Sequence, residues 1–127
     1  PGVASALGID EGAPVVLVRR LRMIDDRPLA ILTNYLPEES APGKAELAEH
    51  GLYELLRQRG IHVSIGVQQI GARLATASEA RLLNEPAGSA LLTMQRTAYD
   101  ASHIAVEFGM HVYRASLYTY SQTVFAQ

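Results

Sequence analysis

The sequence predicts an α+β domain built on an antiparallel sheet, because a helix–strand–turn–strand unit occurs twice along the chain. Residues 12–20 (GAPVVLVRR) align without gaps onto residues 88–96 (GSALLTMQR). Each copy follows a helical segment that ends in a leucine, Leu7 or Leu83, and precedes an acidic turn and a returning apolar strand. Such a repeat predicts a pseudo-symmetric sheet with helices packed on one side. The alternative is that the two hairpins are similar by chance.

The first half of the chain contains a helix, a hairpin and a second helix. Residues 3–7 place three apolar side chains on one helical face, and a glycine ends that helix. Runs rich in leucine and β-branched residues at 15–23 and 29–36 predict two strands, joined by the polar residues 24–28 as a hairpin with an extended loop. The leucines of residues 52–56 have helical spacing, again before a glycine.

The second half repeats this alternation. Residues 61–72 alternate loosely between apolar and polar and predict a strand. Residues 76–79 fit a capping box, in which the first and last side chains bond each other's backbone at a helix start. Three further strands are expected at residues 91–99, 104–113 and 117–125.

Length and composition indicate a single domain, which we assign to residues 1–127. A chain of this length buries roughly two-thirds of its unfolded surface, enough for one core. Its 11 basic and 13 acidic residues are scattered, so it lacks the clustered basic face of a free-standing DNA-binding domain. No apolar run approaches the ~20 residues of a membrane span. The chain begins with Pro1 and not with methionine, and we interpret it as a fragment of a longer protein.

Motifs for catalysis or cofactor binding are missing from the sequence. The absence of cysteine excludes disulfides, thiolate metal sites and a cysteine nucleophile. Four histidines lack the spacing of metal ligands, and neither a phosphate-binding loop nor a nucleophile elbow is present. We therefore predict no catalytic residue, no metal and no cofactor.

Several segments in a fixed order resemble the UTRA domain family. The opening hairpin, the LY-x-LL helix, the second helix with the strand after it, and the VEF…YR…Y finish all have counterparts in that family. These segments are residues 16–22, 25–30, 35–37, 52–56, 77–83, 88–92, 106–108, 113–114 and 118. The resemblance covers nearly the whole chain.

The resemblance implies an effector-binding domain of a bacterial GntR-type transcription regulator of the HutC subfamily. It implies a chorismate lyase-like fold, an antiparallel sheet flanked by helices, and a cytoplasmic homodimer without membrane contact. Full-length relatives bind DNA through an N-terminal winged helix-turn-helix domain, which this chain lacks. Two other functions remain open, a chorismate-lyase-like enzyme and a dimerisation module that binds no ligand.

Arg20 and Arg22 are the leading candidates for binding a ligand. Residues two apart in a strand share a face, which places these guanidinium groups about 7 Å apart. A pair of this kind can hold a phosphate or a carboxylate. From the residues alone, an exposed, solvated strand face is the favoured interpretation. The resemblance implies that both arginines contact an anionic effector.

Further candidates follow from the strand near the C-terminus. Glu107 lies between apolar neighbours and needs a partner or a polar cavity, although a surface ion pair is an alternative. Tyr113 shares its strand face and offers an aromatic wall, unless it belongs to the core. The resemblance adds Ser64 as a hydroxyl for the anion. It also implies that relatives which bind amino-sugar phosphates have glutamate where this chain has Leu32, so we expect a less polar ligand.

The expected ligand is a small anionic metabolite, either a sugar phosphate or an organic acid. We expect it to bind between the two halves of the repeat. Arg20 and Arg22 would form one wall, with Glu107 and Tyr113 on the opposing wall.

Overall fold

The computed structural model describes residues 2–8 and 12–124. It confirms the α+β class, with one antiparallel sheet and several short helices. In chain order the elements are α1 Gly2–Leu7, β1 Val15–Ile24, β2 Arg27–Pro37, a 3-10 turn Glu38–Ser40, α2 Lys44–Glu49, α3 Leu52–Gln58, β3 Ile65–Leu74, α4 Ala77–Leu83, β4 Ala90–Tyr99 and β5 Ala105–Arg114. No helix among these residues is long and apolar enough to cross a membrane.

The sheet has the strand order β1-β2-β5-β4-β3, and every neighbouring pair is antiparallel. Two hairpins, β1–β2 and β4–β5, therefore lie side by side with their second strands in contact. β1 forms one edge of the sheet and β3 the other.

The two hairpins confirm the internal repeat. Arg20 pairs with Leu32 in the first hairpin, and its aligned counterpart Arg96 pairs with Gly109 in the second. The pairing register shifts at equivalent points in both, directly after Arg22 and directly after its counterpart in β4. Two hairpins that were similar by chance would not share the position of an irregularity.

A local two-fold axis relates the hairpins. Leu32 and Gly109 occupy equivalent positions, because each pairs with the arginine of its own hairpin. One residue further along, Thr33 is equivalent to Met110. Thr33 and Met110 are directly opposite each other across the β2–β5 pair. The axis therefore passes between these two residues, at the centre of the sheet.

Helices cover both faces of the sheet, so the prediction of helices on one side was wrong. Leu83 of α4 packs against Ile31 of β2, whereas Leu52 of α3 packs against Leu36 of the same strand. Ile31 and Leu36 are an odd number of residues apart, so they point to opposite faces. Both are buried, and a strand with buried residues on both faces needs cover on each. We call the two sides the α3 face and the α4 face.

The predicted sixth strand at residues 117–125 was wrong for its described part. Residues 115–124 contain no strand, and the amides of Leu117 and Tyr118 donate to the carbonyl oxygen of Arg114 at 3.1 and 3.0 Å. This turn stacks the Tyr118 ring on Tyr113, with ring centroids 4.4 Å apart. The preceding strand β5 lies between β2 and β4 and has no free edge for a neighbour.

The first hairpin turn is tighter than predicted. Only Asp25 and Asp26 separate β1 from β2, and both have positive φ, 47° and 63°. Two such residues form the compact turn that matches the twist of paired strands, and aspartate tolerates that backbone conformation better than most residues.

Candidate functional site

A set of polar side chains gathers on the α3 face. Cross-strand pairing aligns residues in rows that run across the sheet. Arg20 of β1 shares one row with Leu32, His111 and Met94. The adjacent row contains Asn34, Gly109 and Arg96. Helix α3 contributes Tyr53 above the end of these rows. We call the following residues the polar cluster: Arg20, Asn34, Tyr53, Arg96, Glu107 and His111.

Glu107 is the centre of the polar cluster. It is only 1% exposed, and both carboxylate oxygens accept hydrogen bonds. Oε2 accepts from Asn34 Nδ2 and Oε1 accepts from the Tyr53 hydroxyl, each at 2.8 Å. The side-chain oxygen Oδ1 of Asn34 accepts in turn from Nη2 of Arg20 at 3.2 Å. Glu107 thus lies in the floor of the site and not in an exposed ion pair at its rim.

Burial sets the protonation of this network. It raises the pKa of Glu107, and the hydrogen bonds from Asn34 and Tyr53 oppose that shift, as do Arg96 and Arg20. Burial, reinforced by the Glu107 carboxylate, also raises the pKa of Tyr53. The Tyr53 hydroxyl therefore keeps its proton and remains a donor to Glu107.

Arg96 is a site residue that the sequence interpretation missed. Its Cζ lies 5.8 Å from the centroid of the Tyr53 ring, within reach of a cation–π interaction. Its charge also lowers the pKa of both Glu107 and His111. The signal was available, because the repeat aligns Arg96 with Arg20.

His111 is the second residue that was missed. It is 8% exposed, and its Nδ1 accepts a hydrogen bond from the backbone amide of Thr33 at 3.2 Å. Burial, together with Arg96 and Arg20, lowers its pKa to about 4. The imidazole is therefore neutral at pH 7, and because Nδ1 accepts, its hydrogen resides on Nε2.

Gly109 makes room for His111 and Glu107. A Cβ atom at this position would lie 2.9 Å from Nε2 of His111 and 3.0 Å from Oε2 of Glu107. The imidazole and the carboxylate thus lean toward each other over the same residue. Only glycine leaves space for both.

Arg20 and Arg22 lie on the α3 face, as the strand period predicted. Arg20 is half-buried and Arg22 is exposed. Among the described residues, Nε of Arg20 is buried and has no hydrogen-bond partner. An unpaired buried donor is costly, so this guanidinium group is incompletely satisfied by the protein.

Tyr113 lies on the same face, but in the core. It is 6% exposed, packs with Leu29 and Met94, and stacks on Tyr118. Burial, together with the neighbouring Tyr118, raises its pKa.

The sequence had suggested that the four predicted residues form two opposing walls, and this prediction was wrong. Arg20 and Arg22 rise from β1, Glu107 and Tyr113 from β5, and β2 separates them on one sheet face. The cover opposite this face comes from α3 and from the turn after β5.

Ser64 is not brought together with the arginines. It is exposed and directly precedes β3, and its amide donates to the carbonyl oxygen of Tyr99 at 2.8 Å. β3 and β1 are opposite edges of the sheet, so four strand spacings, roughly 19 Å, separate Arg20 from Ile70, the β3 residue in the same row. Ser64 lies six residues before Ile70 in the chain, so it is farther still from Arg20.

The described part of the chain contains no group of three histidine, cysteine, aspartate or glutamate side chains placed to hold a metal ion. The polar cluster itself consists of guanidinium, amide, phenol and imidazole groups around the buried carboxylate of Glu107.

Comparison with known proteins identifies this architecture. The family model described as "UTRA domain" matches residues 1–119. The chain belongs to the UTRA domain family. The HTH-type transcriptional repressor PhnF of Mycolicibacterium smegmatis is 32% identical over 127 residues, 98% of this chain and 52% of that protein. The HTH-type transcriptional repressor NagR of Bacillus subtilis is 30% identical over 123 residues, 93% of this chain and 49% of that protein. The chain thus spans about half the length of these relatives.

Solved structures agree with this assignment. A putative transcriptional regulator from Streptomyces coelicolor superimposes with a TM-score of 0.88 at 46% identity, covering 91% of this chain and 78% of that one. The effector domain of PhnF from Mycobacterium smegmatis superimposes with a TM-score of 0.86 at 32% identity, covering 97% and 77%. This UTRA domain is therefore an effector-binding domain of the kind found in GntR-family transcription regulators.

Proposed function

We propose that this UTRA domain binds a small anionic metabolite on the α3 face and thereby controls DNA binding by the full-length regulator. The unpaired, buried Nε of Arg20 supports the proposal most directly. A donor of this kind is satisfied when an acceptor, or a shift of the side chain toward one, completes its hydrogen bonds. A phosphate or a carboxylate offers several acceptors to one guanidinium group.

The charges of the α3 face also favour an anion. The described strand residues that point to this face include three arginines, Arg20, Arg22 and Arg96, and one carboxylate, Glu107. Both oxygens of Glu107 accept hydrogen bonds from the protein, so this carboxylate orients Asn34 and Tyr53, and the three arginines outnumber it. Neutral His111 adds one uncharged donor. The excess of positive charge attracts a sugar phosphate or an organic acid.

We further propose that the domain acts as a homodimer without catalysis. The relatives are transcription regulators, and a ligand that prefers one arrangement of the dimer shifts the population toward it. Tyr53 connects α3 to the floor of the site through Glu107. A ligand that contacts this network therefore changes the position of α3, and the helix-turn-helix domain of the full-length protein responds.

Thermal-shift and calorimetric titrations with inorganic phosphate, glucose 6-phosphate and citrate test the anion site. Arg20→Ala should weaken binding roughly ten- to a hundredfold, because a hydrogen bond to a charged group contributes about 1.5–3 kcal/mol. Arg19→Ala is the matched control, since Arg19 is exposed and its side chain points to the α4 face. Equal losses in the two variants, or no melting shift with any anion, would contradict the site.

Ser64 is tested separately. Ser64→Ala should weaken only a ligand long enough to reach from Arg20 to the β3 edge. Inorganic phosphate, glucose 6-phosphate and citrate are all shorter than this span, so their affinities should be unchanged, and a loss of affinity for any of them would contradict the separation of Ser64 from the arginines.

A further inference from the structure

A groove of about 580 Å³ lies beside strand β1 on the α3 face, and we call it the β1 groove. Val16 and Val18 contribute to it from the strand, whereas Pro42 and Leu47 contribute from the loop before α2 and from α2 itself. Arg20 lies at one end of this run of strand residues. None of the described residues that line the groove is acidic. Its volume is within the range of cavities that bind small molecules.

The β1 groove is apolar because two valines precede the arginine on the same face. Positions 16, 18 and 20 share the α3 face, since side chains two apart in a strand point the same way. Val18 and Leu47 also pack against the core cluster that contains Leu36. The inner boundary of the groove is therefore the hydrophobic core itself, so the groove is formed before any ligand binds.

The Arg20 side chain leans toward the β1 groove. Its Nη2 donates to Oδ1 of Asn34 at 3.2 Å, and Asn34 is the cross-strand partner of Val18 and not of Arg20. The guanidinium group is thus directed along the strand toward the valines. Its buried Nε has no hydrogen-bond partner among the described residues. One end of the groove therefore offers a positive charge with an unused donor, and the rest offers apolar surface.

This combination determines which anion fits. Four residues of extended strand, roughly 14 Å, separate Arg20 from Val16, so a ligand held at Arg20 can extend over both valines. Sugar hydroxyl groups at that position would lose hydrogen bonds to water without gaining partners, which is unfavourable. Methylene groups there gain free energy because they leave water.

We propose that the β1 groove holds the unbranched hydrocarbon chain of a carboxylic acid whose carboxylate binds Arg20. The proposal rests on the anion site proposed above. It narrows the ligand of that site from sugar phosphates and organic acids in general to monocarboxylates with an apolar chain.

Calorimetric titration with butyrate, hexanoate and octanoate tests the groove. Each methylene that enters it should tighten binding about fourfold, so octanoate should bind roughly 250-fold more tightly than butyrate. 1-Octanol, which has the chain but no carboxylate, should bind roughly ten- to a hundredfold more weakly than octanoate. Equal binding of the alcohol would indicate a merely apolar surface, such as a protein contact uses, and would overturn the proposal.

Two substitutions of Val16 locate the chain. Val16→Asp places a charge at the far end of the groove, and Val16→Phe fills that end with an apolar ring. Each should reduce the ratio of octanoate to butyrate affinity at least tenfold and leave butyrate binding unchanged, because butyrate is too short to reach residue 16. Val67→Asp is the matched control, since this valine is exposed on β3 and points to the α4 face. An unchanged ratio in a folded Val16 variant would refute the groove.

Arg20→Ala and inorganic phosphate distinguish the groove from the anion site. Arg20→Ala should weaken both butyrate and octanoate, and an unaffected octanoate affinity would contradict the carboxylate anchor. If phosphate binds at Arg20 but butyrate and octanoate bind equally well, the groove is refuted and the anion site stands. If neither phosphate nor any of the acids binds, both proposals fail.

Discussion

The two hairpins of this UTRA domain share one backbone plan but differ in the chemistry of their second strands. Both contribute an arginine at the same position, Arg20 and Arg96. On β2 the positions that point to the α3 face include Ala30 and Leu32, and the local two-fold axis matches these with Glu107 and Gly109 on β5. The repeat thus supplies a guanidinium group from each side, and one copy alone supplies the acid that serves both.

This asymmetry explains how a symmetric scaffold carries an asymmetric site. Asn34 and His111 are equivalent positions that both point into the polar cluster. Asn34 relays Arg20 to Glu107, whereas His111 accepts from the backbone of Thr33 and remains neutral. At this position the first hairpin links Arg20 to Glu107 through Asn34, and the second hairpin supplies the neutral imidazole of His111.

Removing the acid that distinguishes the hairpins should have the largest effect. Glu107→Ala gives β5 the residue found at the equivalent position of β2, but leaves Asn34 and Tyr53 as buried donors and two arginines without their counter-charge. We expect a loss of about 2–6 kcal/mol in the free energy of unfolding, because two donors lose their acceptor and each unsatisfied donor costs roughly 1–3 kcal/mol. Urea denaturation measures it, with Glu54→Ala as the control, because the Glu54 carboxylate is exposed and lies 3.3 Å from His50 Nδ1. A loss no larger than that of the control would mean that the network contributes little to stability.

The sequence predicted the hairpins well because their signals are local. Strand periodicity placed Arg20 and Arg22 on one face, and the repeat predicted the pairing of each hairpin. Asn34 and His111 were not predicted, because their proximity depends on the register between β2 and β5, which are distant in sequence. The sixth strand failed for a similar reason, since alternation in residues 117–125 does not reveal that β5 has both neighbours already.

The next largest effect is expected from His111, whose titration makes the stability of the protein depend on pH. His111 has a pKa of about 4 in the folded protein, against about 6.5 when unfolded. Between these values the unfolded chain binds a proton that the folded protein does not, so stability falls as pH drops from 6.5 to 4. A contribution of about 2 kcal/mol across this window is expected, after allowance for relaxation of the buried site.

His111→Asn isolates this contribution, because it gives β5 the residue that β2 has at the equivalent position. Burial raises the pKa of nearby Glu107, so the comparison is the difference between wild type and variant at each pH. Their free energies of unfolding should differ in slope between pH 4 and 6.5 and run parallel above pH 7. Parallel curves throughout would show that His111 does not retain a depressed pKa.

The smallest effect is expected where the hairpins differ only in side-chain volume. Leu32 fits on β2, whereas a single added methyl on its counterpart Gly109 meets His111 Nε2 at 2.9 Å and Glu107 Oε2 at 3.0 Å. The imidazole is tied to the Thr33 amide and the carboxylate to two donors, so neither moves without losing a hydrogen bond. Gly109→Ala should therefore cost about 1–2 kcal/mol, typical of overpacking. Gly66→Ala is the matched control, because its new methyl meets only the flexible chain of Arg96 at 3.3 Å. If both variants lose equally little, the imidazole and the carboxylate can separate without cost, and the close packing over Gly109 does not hold the polar cluster together.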